Sequence, residues 1–306
     1  MDNTTTLTFT MTAYDVLENY KNELFTIFLL LYVVTIILNL LFIIVVKQNK
    51  ELHMPMHVFT CMLSINEMYG STALLPAIMS LLMSETHEIP VMWCQAQVYL
   101  LHTYASGEFS VLAVMGYDRY VAICNPLHYH NIMSASKVNK LIALTVLWPY
   151  IMFGCLYSLT LQLSFCGKFI PKLYCVNMEL VKNSCSSVSH ISTVGLIFIL
   201  LLIVPQLLMI VFSYVKILRV CLKLRINGLK TCIPHLLSLL NYTIGSLFEI
   251  AQTRLNISHV AAEARMFLSL YFIIIIPIVN PLLYGLGTQR IRLLILKMSI
   301  RKRSHQ

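Results

Sequence analysis

Seven apolar blocks dominate this chain, at about residues 24–46, 56–83, 95–123, 138–161, 191–218, 233–253 and 266–287. Each is close to the ~20 residues that carry a helix across ~30 Å of hydrocarbon. The first is the cleanest, because Leu24 to Val46 holds no charge at all. The second, third and sixth each carry one acid: Glu67, Glu108 and Glu249. Neither strand-like alternation nor regular turn signals occur, which argues against a β-barrel. The pattern predicts one all-α membrane domain, a bundle of seven transmembrane helices joined by short loops, with no internal repeat or linker.

Composition agrees with that reading. Of 306 residues, 58% are hydrophobic and 11% charged, against roughly 45–50% and about 25% in ordinary soluble domains. Such a chain cannot hide its apolar surface from water, which excludes a soluble monomer or a disordered protein. A net charge of +9 would attract an anionic partner, but its placement decides its meaning. With the loop after the first span in the cytosol, 16 of the 22 Lys and Arg, from Lys47 to Arg303, fall on that side. The bias puts the N-terminus outside and the C-terminus inside. The charge then marks a cytosolic face suited to topology and anionic lipid rather than to nucleic acid. Residues 1–23, polar and acidic and unlike a cleaved signal peptide, read as an extracellular tail. Residues 24–287 form the bundle, and 288–306 a basic cytoplasmic tail.

The cysteines sort by the same topology. Cys94, Cys166, Cys175 and Cys185 fall outside, in an oxidising compartment, where three pairings are open. Zinc is disfavoured, because no His stands at ligand spacing from them and His53 and His57 have no further ligands. No metal site is expected. Asn3-Thr4-Thr5 is a glycosylation sequon on the outer tail, and Asn256-Ile257-Ser258 another in an outer loop. Asn241-Tyr242-Thr243 fits the same pattern inside the sixth span, where no glycan can be attached.

Several residues could carry a mechanism. Cys94 and Arg119 are 25 residues apart, roughly 37 Å of helix, so they mark the two rims of the bilayer. Asp118 beside Arg119 forms a nearly buried charge pair that is costly to break and releasable; a snorkelling Arg with a helix-end partner is the plainer alternative. Pro277 and Pro281 bend the seventh span, and Asn280 can satisfy a freed carbonyl. Glu67 is an intramembrane carboxylate expected to face Asn39, Asn66 or Asn280, holding a Na+ or a proton. No other cofactor is expected. Scattered acids raise a proton-relay transporter as a rival, but such folds are built on repeats this chain lacks. No HExxH, GxSxG, P-loop or GxGxxG is present, so no enzyme is expected. Residues 266–287 contain no lysine, which removes a retinal protein.

Met115-Gly116-Tyr117-Asp118-Arg119-Tyr120-Val121-Ala122-Ile123-Cys124-Asn125-Pro126-Leu127-His128-Tyr129 resembles the hallmark of the vertebrate odorant receptors, within the rhodopsin-like G-protein-coupled receptors. Leu52-His53-Met54-Pro55-Met56, Ser213 to Leu218, Lys230 to Leu236 and Pro277 to Tyr284 extend the match, so the resemblance covers about residues 25 to 295. This chain departs from the family at several positions. Gly116 stands where Ala is usual, His57 where Tyr is, Leu38 where Gly is and Glu67 where Asp is. The sixth span lacks the Trp-x-Pro of other rhodopsin-like receptors, and Thr243 lies near that depth.

The resemblance implies a rhodopsin-like bundle with a short amphipathic C-terminal helix in the plasma membrane. It pairs Cys94 with Cys175 and Cys166 with Cys185, making the second outer loop a lid. It places a small-molecule odorant among His102, Ala105, Ser106, Phe109, Phe198, Leu202, Ser246, Ile250 and Leu270. Glu249 and Arg254 could instead meet charged groups there. Asp118, Arg119, Tyr120, Tyr214, Asn280, Pro281 and Tyr284 form the activation switch for a stimulatory, olfactory-type G protein. A rhodopsin-like receptor for a non-odorant ligand would share the cytosolic motifs.

Overall fold

Helices satisfy their own backbone, and they account for most of the residues described in the computed structural model: 8–185, 189–224, 229–254, 262–287 and 291–294. Six long helices are α1 (Lys21–Gln48), α2 (Pro55–Leu82), α3 (Val91–Cys124), α5 (Ala135–Leu161), α7 (Ser189–Leu224) and α8 (Leu229–Arg254). Two shorter ones, α9 (Ala262–Ile274) and α10 (Ile276–Gly287), meet at Ile275, and α4 (Tyr129–Ile132) and α6 (Asn177–Lys182) lie in loops. Helix α2 begins where extended Met54 is followed by Pro55 at the first helical turn, a position where the missing N–H costs nothing.

Burial explains the layering. From Gly107 to Gly116 every residue of α3 is buried, so this stretch is covered on all sides and forms the central rod, packed by α2, α5, α7 and α8. By contrast, Leu30, Ile37, Ile151, Leu208 and Phe212 of α1, α5 and α7 stay exposed, as lipid-facing residues would. Among the described residues, Thr12–Gln48, Ala135–Leu161 and Thr193–Lys223 are long and apolar enough to cross a membrane by length and composition. Helices α2, α3 and α8 fall short because their polar residues point inward: Ser64, Glu67 and Ser71, then Glu108 and Asp118, then His235 and Ser238 are all buried.

Part of the polar, acidic N-terminal tail is ordered. Strand β1 (Thr8–Met11) pairs antiparallel with β2 (Glu88–Pro90) and parallel with β3 (Phe169–Ile170), in the order β2-β1-β3. Its alternation buries Phe9 and Met11, and a 3-10 turn after it buries Tyr14, whose hydroxyl donates to Leu173 O at 2.7 Å. A two-residue period over four residues is too short to register against a polar background. Burial pushes the Tyr14 phenol well up, so it remains a donor. His87, at φ 49°, turns the chain so that its carbonyl accepts from Met11 N at 3.0 Å.

Candidate functional site

The loop after α5 is fixed on α3 by chemistry at two adjacent points. Cys175 is disulfide-bonded to Cys94 in the first turn of α3, and its backbone N–H donates to Gln97 Oε1 at 2.9 Å. Cys166 and Cys185 form a second bridge within the loop. This tether brings Tyr174, Val176 and Asn177 over a cavity of about 190 Å³.

Helical spacing puts His102, Ala105, Ser106 and Phe109 on one side of α3, and all four line that cavity, together with Leu202, Ser246 and Ile250. Phe198 and Leu270, expected beside them, are elsewhere. Phe198 sits roughly 60° round α7 from the lining Gly195 and packs half-buried against the core. Leu270 is buried in the core, while Ile273 takes the wall position.

The wall is apolar with a few fixed polar groups. The His102 ring stacks on Phe153 at 4.6 Å, and its Nδ1 lies 2.9 Å from Val98 O. Tyr242 donates to Ala105 O at 2.7 Å and meets Phe109 edge-on at 4.8 Å. Gln206 Nε2 donates to Ser110 Oγ at 2.9 Å. At the rim, Glu249 lines the cavity, accepts from Gln252 and lies 3.8 Å from Lys172 Nζ. Burial and the Glu249 carboxylate push the Tyr174 phenol up, leaving it a donor toward Ser269 O. The side chain of Arg254 lies outside the described residues. Tyr242 was findable, since it precedes Ser246 by one helical turn. Gln206 was findable in the same way, one turn beyond Leu202, whereas the loop residues carry no local signal, because a disulfide rather than a periodicity delivers the loop.

At the opposite end of α3, Arg119 Nη2 donates to Asp118 Oδ2 at 2.6 Å and its Nε at 3.2 Å. Tyr129 of α4 donates to the other oxygen, Oδ1, at 2.7 Å. Asp118 is fully buried, so these bonds compensate a charge that could not otherwise stay there. Burial, then the Asp118 carboxylate, pushes the Tyr129 phenol up. Tyr120 packs edge-on against Phe212 at 5.7 Å. Tyr214 stacks on His235 and hydrogen-bonds its Nδ1, while His235 Nε2 lies 2.9 Å from Leu112 O. Sequence reading named Tyr214 but missed His235.

Between the two ends runs a polar seam. Pro281 has no N–H for Pro277 O, and the freed carbonyl is taken by Asn39 Nδ2 of α1 at 2.9 Å, not by Asn280 as expected. Asn280 instead donates to Glu67 Oε1 at 2.6 Å and accepts from Ser238 at 2.5 Å. Asn66, the residue before Glu67, donates to Glu108 Oε1 at 3.1 Å. Tyr284 is buried, and its hydroxyl makes no hydrogen bond. Among the described residues no group of three or more His, Cys, Asp or Glu is placed to hold a metal.

Asn3 and Asn256 lie outside the described residues, as does most of the basic tail. Of the expected C-terminal helix only residues 291–294 are described, and they are helical.

A family model described as "Olfactory receptor" matches residues 28–302. Olfactory receptor 51G1 of Homo sapiens is 30% identical over 301 residues, 95% of this chain and 92% of that receptor. Olfactory receptor 5P3 of Homo sapiens is 32% identical over 306 residues, 95% and 94% of the two chains. Olfactory receptor 52K1 of Homo sapiens is 28% identical over 277 residues, 89% and 88%. With the family matched over nearly its whole length, this chain belongs to the olfactory receptor family, G-protein-coupled receptors of the plasma membrane rather than enzymes.

Proposed function

We propose that this receptor threads the bilayer seven times, with residues 1–23 outside, 24–287 as a rhodopsin-like bundle and 288–306 in the cytosol. A small odorant binds in the cavity at the outer half of α3. The inner end couples to a stimulatory, olfactory-type G protein and so to cyclic AMP. The observation that carries this reading is the placement of two devices on one central rod. The cavity surrounds Ala105, and the Asp118–Arg119 pair lies 14 residues further on, about 21 Å of helix.

Binding can shift the receptor only through a difference in affinity between its states. A ligand that prefers the arrangement with α8 displaced releases Arg119 from Asp118, and Tyr214 and Tyr284 turn inward to hold it open. Buried oxygens without hydrogen-bond partners, Glu67 Oε2, Asn39 Oδ1 and Ser71 Oγ, support a proton or a Na+ at Glu67. Asn3 is the site proposed for a glycan on the outer tail. Expression with the stimulatory G protein and a cyclic AMP readout against an odorant panel tests this. Arg119→Ala is expected to remove the response at unchanged surface level; an undiminished response would refute the role of the arginine.

A further inference from the structure

The cavity wall carries the Ser106 and Ser246 hydroxyls, the second buried without a hydrogen-bond partner, beside several groups that can only accept. His102 Nδ1 faces the Val98 carbonyl, so this nitrogen carries the proton and Nε2 is left with its lone pair. The Tyr242 hydroxyl proton goes to Ala105 O, and an amide proton of Gln206 to Ser110. Asn177 contributes a buried Oδ1 that makes no hydrogen bond. Glu249 adds a carboxylate, the one acidic or basic side chain other than His102 among the described lining residues.

From this carboxylate and the acceptors beside it on an otherwise apolar wall we infer that the cavity selects a small apolar molecule bearing a primary ammonium, which meets Glu249 in place of Lys172. The inference rests on the cavity being the ligand site and names the class of ligand that site takes. The cation that faces Glu249 comes from the loop, at 3.8 Å, and Lys172 is not part of the wall. An ammonium entering from the cavity side therefore reaches the carboxylate at hydrogen-bond distance without unpacking the apolar wall. It supplies three donors to the Glu249 carboxylate and the acceptors near it. An aliphatic amine, like a lysine side chain, is protonated at neutral pH. A carboxylic acid of the same size would instead bring its charge against Glu249.

The test uses the full-length receptor with the stimulatory G protein, a cyclic AMP readout, and n-hexylamine, n-hexanol and n-hexanoic acid as probes. The amine is expected to be the most potent by about tenfold, the scale of one charge-assisted hydrogen bond. Glu249→Gln lowers the amine-to-alcohol potency ratio by about tenfold, and Lys172→Met, which removes the competing cation, raises it. A merely structural role for Glu249 would shift all probes together and leave the ratio unchanged. That result overturns the assignment, as does a surface-delivered receptor that answers the alcohol or the acid best, or none of the three. Ala105→Trp, which fills the cavity, separates the two readings. If it leaves an alcohol response intact, the cavity itself is not the ligand site.

Discussion

The outer and inner halves of the bundle, as the proposed topology names the cavity end and the Arg119 end, are held by different kinds of force. Outside, α3 is tied covalently to its loop at Cys94, and α2 crosses it so closely that a Cβ on Gly70 would sit 2.4 Å from the Tyr104 ring. Inside, the ties are the Asp118–Arg119 pair, the Tyr129 hydroxyl and the Tyr214–His235 contact. There a Cβ on Gly116 would meet His235 and Tyr214 at an ordinary 3.6 and 3.8 Å. Steric and covalent contacts define one geometry, whereas hydrogen bonds and ion pairs can be exchanged for others. A fixed outer frame with a releasable inner clasp is what a receptor needs if binding at one end is to be read at the other.

The steepest way to break this contrast is at the close crossing. Gly70→Val should abolish folding, read as loss of surface receptor, because neither the Tyr104 ring nor the backbone can yield the space. Normal surface delivery of that variant would mean the outer half is not rigid. Next, Cys94→Ser should cost ~2–4 kcal/mol and cut surface delivery much more than Cys61→Ser, which removes a thiol that is free. Equal levels would deny the tether its weight. The inner clasp predicts a smaller and opposite effect. Tyr129→Phe removes one hydrogen bond from the Asp118 carboxylate, about 1.5–3 kcal/mol, and should raise basal cyclic AMP severalfold without lowering surface level. The gentlest change is Gly116→Ala, which fits the available space and should stabilise the receptor by about 0.5–1 kcal/mol in a thermal shift.

The two halves also differ in what could be read from the residues alone. The inner site was legible because charge and proline are rare in apolar spans: Asp118, Arg119, Pro277, Pro281 and Glu67 announce themselves. Even so, their wiring was not. Asn39, 238 positions from Pro277 along the chain, caps the carbonyl that Asn280 was expected to take. The outer site was half legible. The 3.6-residue period placed His102, Ala105, Ser106 and Phe109 on the cavity, yet it could not separate Phe198 and Leu270, which pack into the core. Tyr174 and Asn177 reach the cavity only because a disulfide spanning 81 residues delivers their loop. The strand Thr8–Met11 was missed for the same reason, since its partners at residues 88–90 and 169–170 are distant in sequence.

In the proposed topology the cavity opens on one side of the membrane and Arg119 faces the other. Epitope tags at the two termini, stained on intact and then on permeabilised cells, test that most directly. The account predicts that the N-terminal tag is labelled on intact cells and the C-terminal tag only after permeabilisation. A C-terminal tag that labels on intact cells would contradict it.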